Sequence, residues 1–429
     1  MKSLSSIGAK GVGAALLAAA ASFALSAMMP IAASAADPLG VDDGTELTLW
    51  TRAATQARVD QLVQAYNASH KNKVTATYVV TDDYQTKVGA AGAANGLPDL
   101  FSADVVFMPN WTSAGLFQDI TDKINNMPGI DKVAQAGIDV GTWEGKKYGM
   151  PFIADLSVWM WNKKLYKQAG LDPEKGPTSL VEFAAQARAV AKLGGNVHGT
   201  FWGGSCGGCE AFTWMPIAWA DGETILNKEG TESHANSEEW KSIFKIFHDM
   251  AADGTAMMPE TQTETGPTWT SFFPKGIIGV MPMPAASSYG GNGIEDADIG
   301  VTPIAGVKGG QATFIGGDDI GISRDSKKVD AAWNFLAWVQ SDEAQIEVVA
   351  KNGNILTRTD LANNKYFTDP RVVLFNTIGA KGQTPLAKNF GATFNDPQGP
   401  WVALMQDVVF GDEGKLEADN QAMNDSLNP

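Results

Sequence analysis

The chain has 429 residues, 32 Lys plus Arg against 48 Asp plus Glu for a formal charge of −16, and a hydrophobic share of 44%. A chain of this length predicts two domains, and one this apolar is not intrinsically disordered. With so acidic a balance and no Lys/Arg cluster to displace the counterions condensed on a phosphate backbone, nucleic acid is excluded as a partner.

Residues 1–35 read as a secretory signal peptide. Lys2 and Lys10 precede an Ala/Leu-rich stretch from Val12 to Leu25, and the small residues Ala33-Ser34-Ala35 place the cut before Ala36. No other segment approaches the roughly 20 apolar residues that a spanning helix needs. The mature chain is therefore expected to be soluble, with 30 basic against 48 acidic residues, a charge of −18. No Cys stands at the cleavage point, so no lipid anchor is expected there. Release without a tether is most useful in a closed compartment, and the expected location is a Gram-negative periplasm.

From Glu46 onward, strand-like and helix-like segments alternate, the pattern of an α/β protein with a mostly parallel sheet. Leu47-Thr48-Leu49-Trp50 reads as a strand, and Val59, Leu62, Val63 and Tyr66 fall at helical spacing. Val74, Ala76, Tyr78 and Val80 then alternate as a half-buried strand. Pro98 to Val106 predicts a buried strand with its exit loop, and Met150 to Trp161 a long extended crossing. Ser179-Leu180-Val181-Glu182 has capping-box spacing before a helix. Trp240, Ile243, Phe244 and Phe247 make a helical stripe, Gly276 to Met281 a buried strand, Asp319 to Ser323 another, and Ala331, Phe335, Trp338 and Val339 one face of a late helix. No linker rich in Pro, Gly or Ser separates two halves, so the chain is expected to pass between domains through several short crossings.

Motifs for chemistry are scarce. The four His (His70, His198, His234, His248) are not spaced for zinc, and GxSxG, a P-loop and a GxGxxG after the first strand are absent. No metal, cofactor or catalytic residue is expected. The glycine-rich run Gly203 to Cys209 lacks the Lys that phosphate binding needs and shows no following helix. Cys206 and Cys209, the only cysteines, form a CxxC that in an exported protein reads as one structural disulfide. Spacing alone singles out no pair of carboxylates for acid/base work.

A resemblance carries the sequence further. Gly96-Leu97-Pro98-Asp99-Leu100-Phe101, Asp104, Ala114 to Ile120, Lys147 to Phe152, Val158 to Tyr166, Pro177 to Phe183, Phe273 to Met281, Gly316 to Ser323 and Ala331 to Leu336 follow one another as in the family 1 extracellular solute-binding proteins, the maltose-binding-protein-like receptors of ABC importers. Each motif is loose alone, but their order spans nearly the whole mature chain. The resemblance implies a type II periplasmic-binding-protein fold, two α/β lobes joined by a multi-strand hinge with the ligand cleft between them. Crossings are expected near 152–155, between 303 and 314, and near 354–359. The expected lobes are 36–152 plus 310–355 and 153–309 plus 356–429.

It also implies a site. Asp104, Asp155 and Glu210 occupy or neighbour acidic places that accept from sugar hydroxyls, and one of Asp318 and Asp319 is expected to face the cleft. Trp401 resembles the C-terminal aromatic platform. Where the maltose receptor has a stacking Trp, this chain reads Met281-Pro282-Met283-Pro284, leaving Trp269 and Trp214 as substitutes, and a maltodextrin is not implied. Trp50, ending the first strand, is either core or ligand platform; Arg52 and Asp83, in the loops after the first two strands, either stand where such sheets bind ligands or belong to solvated loops; Arg358 either binds ligand or pairs within the hinge. Trp159, Trp161, Trp333 and Trp338 lie in apolar stripes and are expected in the core. The function implied is a monomeric receptor that closes over a neutral mono- or oligosaccharide and delivers it to permease subunits. The alternatives are a receptor for a polyamine or other organic cation, and a carbohydrate-active hydrolase or lyase.

Overall fold

In the computed structural model, residues 38–287, 293–379 and 381–429 are described; the expected signal peptide lies outside them. Among the described residues the strands are β1 (Glu46–Arg52), β2 (Lys73–Val79), β3 (Leu100–Asp104), β4 (Thr142–Trp143), β5 (Lys146–Lys147), β6 (Gly149–Asn162), β7 (Val280–Pro284), β8 (Ile299–Ala305), β9 (Gln311–Ala312) and β10 (Ile315–Ile322). No helix among these residues is long and apolar enough to cross a membrane.

The main sheet runs β2-β1-β3-β10-β6-β8-β9, with β7 also on β6. β1 lies parallel to β2 and β3, with the helix Gln56–Ser69 crossing over between β1 and β2. All pairings of β10 with β3 and β6, and of β6 with β7 and β8, are antiparallel. The sheet is therefore mixed and not mostly parallel. The reason is the crossings: β6 and β10 enter the first lobe from opposite directions.

β6 is the spine of both lobes. Its first half, Gly149 to Leu156, pairs with β10, and its second half, Ser157 to Asn162, pairs with β7 and β8. The strand changes partners between Leu156 and Ser157, a few residues beyond the expected lobe boundary at 152/153. The second crossing, Thr313-Phe314, is stitched to the first at that point. Phe314 N donates to Ser157 Oγ at 3.0 Å, and Thr313 Oγ1 donates to Ser157 O at 2.8 Å. The third crossing is held by buried amides: Thr357 N donates to Gln345 Oε1 at 2.9 Å, and Leu356 N to Asn376 Oδ1 at 3.0 Å.

The apolar stripes bury as their spacing predicts. Val59, Leu62, Val63 and Tyr66 face inward, as do Ala331, Phe335, Trp338 and Val339. Trp159, Trp161 and Trp333 are core as well. Trp240, Ile243, Phe244 and Phe247 pack the second lobe. Val80 is 61% exposed, past the end of β2, and the strand expected from Gly276 begins only at Val280. Ser179 caps its helix through Glu182 N at 3.2 Å, but the Glu182 carboxylate turns to Thr178 N and Oγ1 and does not complete the reciprocal box. The helix that the glycine-rich run was expected to lack is present: Gly207–Ala220 starts inside it.

Gly317 fixes the hinge end of β10. Its φ is +104°, and a Cβ there would lie 1.8 Å from Ile153 O on β6, beside a register shift between Asp318 and Asp319. Gly317→Ala is expected to destabilise the protein by more than the about 1–3 kcal/mol that a strained backbone alone costs. A denaturant midpoint equal to wild type would contradict this account of the hinge.

Candidate functional site

Sheet order brings three charged residues together. Arg52 ends β1, Asp104 ends the neighbouring β3, and Asp318 on β10 sits directly opposite Asp104 in register. Arg52 Nη1 reaches Asp104 Oδ2 at 2.8 Å, Arg52 Nε donates to Asp318 Oδ1 at 3.0 Å, and Nη2 also pairs with Asp318. The second Asp318 oxygen accepts from Ser102 Oγ at 2.7 Å. The side chains are 14% (Arg52), 24% (Asp104) and 0% (Asp318) exposed, so Asp104 and Arg52 reach solvent and Asp318 anchors them from behind.

Electrostatics follow the geometry. Burial pulls the Arg52 guanidinium pKa down, but Asp104 and Asp318 more than offset it and the net shift is upward. For Asp104, burial raises the pKa, Arg52 lowers it and Asp318 raises it; the result lies above the usual aspartate value. Asp104 Oδ1 accepts only one backbone N–H, from Val106 at 3.2 Å, and keeps acceptor capacity for a ligand.

In front of this cluster opens a cleft of about 770 Å³, within the range of small-molecule sites. One wall carries Gln85 and Thr86 from the helix Thr81–Ala94, with Phe107 and Asn110 from the exit of β3. The other wall is built from Ser205 to Gly208 and from the segment 388–397, with Lys388, Asn389, Asn395 and Asp396. The walls touch where the Phe107 ring packs on Gly391: a Cβ at residue 391 would lie 2.5 Å from that ring. Cys206 caps the helix Gly207–Ala220, its Sγ accepting from Cys209 N at 3.3 Å, and the two Cys Cα atoms are 5.2 Å apart, within disulfide reach.

The remaining candidates fall elsewhere. Trp401 and Trp214 are wholly buried: Trp401 sits against Trp240 and Phe394, and Trp214 stacks on Phe247 at 3.7 Å. Trp269 is buried in a core cluster with Phe273 and Met258. None of the three is a ligand platform, because core packing is where so much apolar area gains most. Trp50 is half-buried with the Lys87 ammonium 4.3 Å from its ring, and Asp83 is exposed; neither lines the cleft.

Asp155 belongs to the hinge. Its Oδ1 accepts from Leu156 N at 2.8 Å and from Ala286 N at 3.2 Å. Burial raises its pKa, with Arg58 and those N–H groups opposing. Arg358 takes the pairing role, gripping Asp360 through Nε and Nη2 and reaching Asp342 at 3.1 Å. Neither Asp318 nor Asp319 faces the cleft. Asp319, across the register shift that follows Asp318, is wholly buried, and burial followed by Asp318 and Asp104 pushes its pKa well up.

Glu210, expected near the ligand, lies behind the cleft wall. It is 1% exposed, neither carboxylate oxygen has a hydrogen-bond partner, and burial raises its pKa well above the usual glutamate value. Sequence reasoning missed Phe107, Asn110 and the 388–397 segment. The first two follow Asp104 so closely that the strand-end rule used for Arg52 would have found them. The third has no periodic pattern.

A two-lobed mixed α/β chain with an interlobe cleft floored by an Arg–Asp cluster is built as a solute receptor. The chain belongs to the bacterial extracellular solute-binding protein family, whose model matches residues 51–346. It is 23% identical over 387 residues to the diacetylchitobiose-binding protein DasA of Streptomyces coelicolor, covering 88% of this chain and 87% of that one. Among solved structures it superposes on an ABC transporter solute-binding protein of Thermotoga lettingae bound to α-D-tagatose, with a TM-score of 0.77, 18% identity, and coverage of 90% of this chain and 100% of that one. The cyclic α-maltosyl-1,6-maltose-binding protein of Arthrobacter globiformis gives 0.73, 23%, 90% and 99% respectively.

Glu210 yields a pH prediction. A carboxyl whose pKa rises on folding stabilises the fold below its unfolded pKa, near 4.5, and that stability is lost as pH rises through the folded value. Glu210→Gln should therefore lose less stability than wild type between about pH 4.5 and alkaline pH. Parallel melting-temperature profiles for the two proteins would refute this.

Proposed function

We propose that this protein is the substrate-binding component of an ABC importer, that it captures a neutral mono- or oligosaccharide by closing its lobes, and that it hands the sugar to the permease without making or breaking a bond. The observation that carries this reading is the Arg52 clamp. A guanidinium already fills the space between Asp104 and Asp318, so the place a cation would take on the cleft floor is occupied; the trio keeps a net charge of −1, one Arg against two Asp, but its rear carboxylate, Asp318, is buried away from the cleft. The lining as a whole supports a neutral guest, with Arg52 and Lys388 against Asp104 and Asp396. Gln85, Asn110, Asn389 and Asn395 add amides that pair with hydroxyls as donor and acceptor. The relatives named for diacetylchitobiose, tagatose and cyclic maltosyl-maltose support the same class. The polyamine alternative has nothing of this kind in its favour.

Closure is the mechanism. Ligand reaches both walls only where they meet as they do here, with Phe107 packed on Gly391, so binding shifts the population from more open forms toward the closed one that a permease would recognise. The two walls belong to the lobes expected from the sequence, 36–152 with 310–355 against 153–309 with 356–429, the first crossing adjusted to Leu156/Ser157. Residues 1–35 would direct export to the periplasm, where Cys206 and Cys209 would be joined as a disulfide.

A thermal-shift panel of diacetylchitobiose, maltotriose, tagatose, ribitol and spermidine tests the reading. A true ligand at 100 times its Kd adds about 2.7 kcal/mol of stability, a clear rise in Tm. Stabilisation by spermidine alone would remove the sugar assignment. Asp104→Ala should weaken the responsive sugar by about 1–3 kcal/mol, the cost of unpaired hydroxyls; because it also removes one carboxylate from Arg52, it should lower the unliganded Tm, and affinity is read on protein confirmed folded. The cysteines are checked apart from ligand: closing a four-residue loop is worth about 2 kcal/mol, so Cys206→Ser with Cys209→Ser, or reductant on wild type, should lower stability by that much.

A further inference from the structure

Arg52 stands where an organic cation would stand in a two-carboxylate pocket. Its guanidinium lies between Asp104 at 2.8 Å and Asp318 at 3.0 Å, while its 14% exposure puts it at the boundary between cluster and cleft. Behind it Asp318 is fixed by Ser102 and carries no exposed surface, so that carboxylate cannot turn to water if the arginine leaves. Asp319, next along β10, is wholly buried with its Oδ2 lacking a hydrogen-bond partner, so it brings no counter-cation to the cluster. Among the described residues, the only other basic residue lining the cleft is Lys388, exposed on the far wall.

We propose that Arg52 determines the charge class of the ligand: it is a built-in counter-cation that converts a pocket otherwise suited to an ammonium group into one for neutral hydroxylated guests. This rests on the cleft being the ligand site, as proposed above, and deepens it by naming the residue that excludes cations. A buried carboxylate without a partner takes up a proton or a cation. Replacing Arg52 by a neutral side chain leaves two carboxylates facing vacated space that opens into the cleft, and a primary or quaternary amine then supplies what the guanidinium supplied. By the same balance, neutralising Asp104 leaves Arg52 paired one-to-one with Asp318, and the cleft floor gains attraction for neither an amine nor a carboxylate.

The experiment measures binding of spermidine, choline, glucuronate and the sugar panel to wild type, Arg52→Gln, Arg52→Lys and Asp104→Asn, by thermal shift and calorimetry. Arg52→Gln should gain at least about tenfold affinity for spermidine or choline, the lower end of what close charge pairs contribute. Because Lys388 could swing in to compensate, the same variant is made with Lys388→Gln, where the gain should be as large or larger. Arg52→Lys keeps the charge and should gain no amine binding. Asp104→Asn keeps the Arg52–Asp318 pair and should gain neither amine nor glucuronate, while Arg52→Gln with Asp318→Asn, which leaves the partly exposed Asp104 without a counter-cation, keeps the test open should Arg52→Gln not fold and should gain amine binding in the same direction. The proposal is overturned if folded Arg52→Gln in both Lys388 backgrounds, or folded Arg52→Gln with Asp318→Asn, ignores amines, if Arg52→Lys gains them equally, or if Asp104→Asn gains them as Arg52→Gln does. A wild type that binds amines and no sugar sinks the proposed function instead, so the two failures are told apart.

Discussion

A guanidinium held between two carboxylates is the constraint around which the cleft is arranged. It needs the ends of β1 and β3 to meet the middle of β10, and the order β1-β3-β10 supplies that. It also needs the rear carboxylate to be fixed, which Ser102 does from β3. With those conditions met, Asp104 is both ionic partner and ligand acceptor, and burial raises its pKa while Arg52 restrains the rise. The cost of dehydrating three charged groups is recovered only because each has a close partner. That is why the cluster sits at the strand ends, where Arg52 and Asp104 keep some contact with water, and not deeper in the sheet.

Strands and helices with one apolar face were legible from spacing, because period-2 and period-3.6 patterns record a boundary between core and water. Tyr66, Phe247 and Trp338 are examples: each is buried on the face its spacing named. The helix Gly207–Ala220 left no such trace. It starts with two glycines, contains Pro216 and is buried on almost every side, so no stripe separates wet from dry. The site was legible where a strand end marked it, at Arg52 and Asp104. It was not legible where it depends on tertiary packing. Trp214, Trp269 and Trp401 have the chemistry of platforms and the surroundings of core, and sequence distinguishes those two only by position.

The family pattern located acids, but what each acid does depends on its partners. Asp155 spends two acceptor positions on backbone N–H groups from β6 and from the turn after β7. Glu210 spends none, and burial holds it toward its neutral form. Asp318 acts on the cleft only through Arg52. Three carboxylates at places that resemble sugar-binding positions thus do hinge work, core work and anchoring work.

Asp318 also decides which lobe carries the cluster. It lies on a hinge strand, one residue from the strained Gly317, yet its register partners are Asp104 on β3 and Ile153 in the first half of β6, all in the first lobe. On the proposed closure about Leu156 and Ser157, the cluster stays whole and its donors and acceptor are available before the lobes meet. On the proposed function, a ligand is first held by this lobe with much the same affinity in both states. The difference between open and closed must then come from the opposite wall, the amides and Lys388 of the 388–397 segment and the backbone of Ser205 to Gly208. A ligand shifts the lobes only by what it gains from that wall, so the first lobe sets which charge is admitted and the second sets how firmly the cleft shuts.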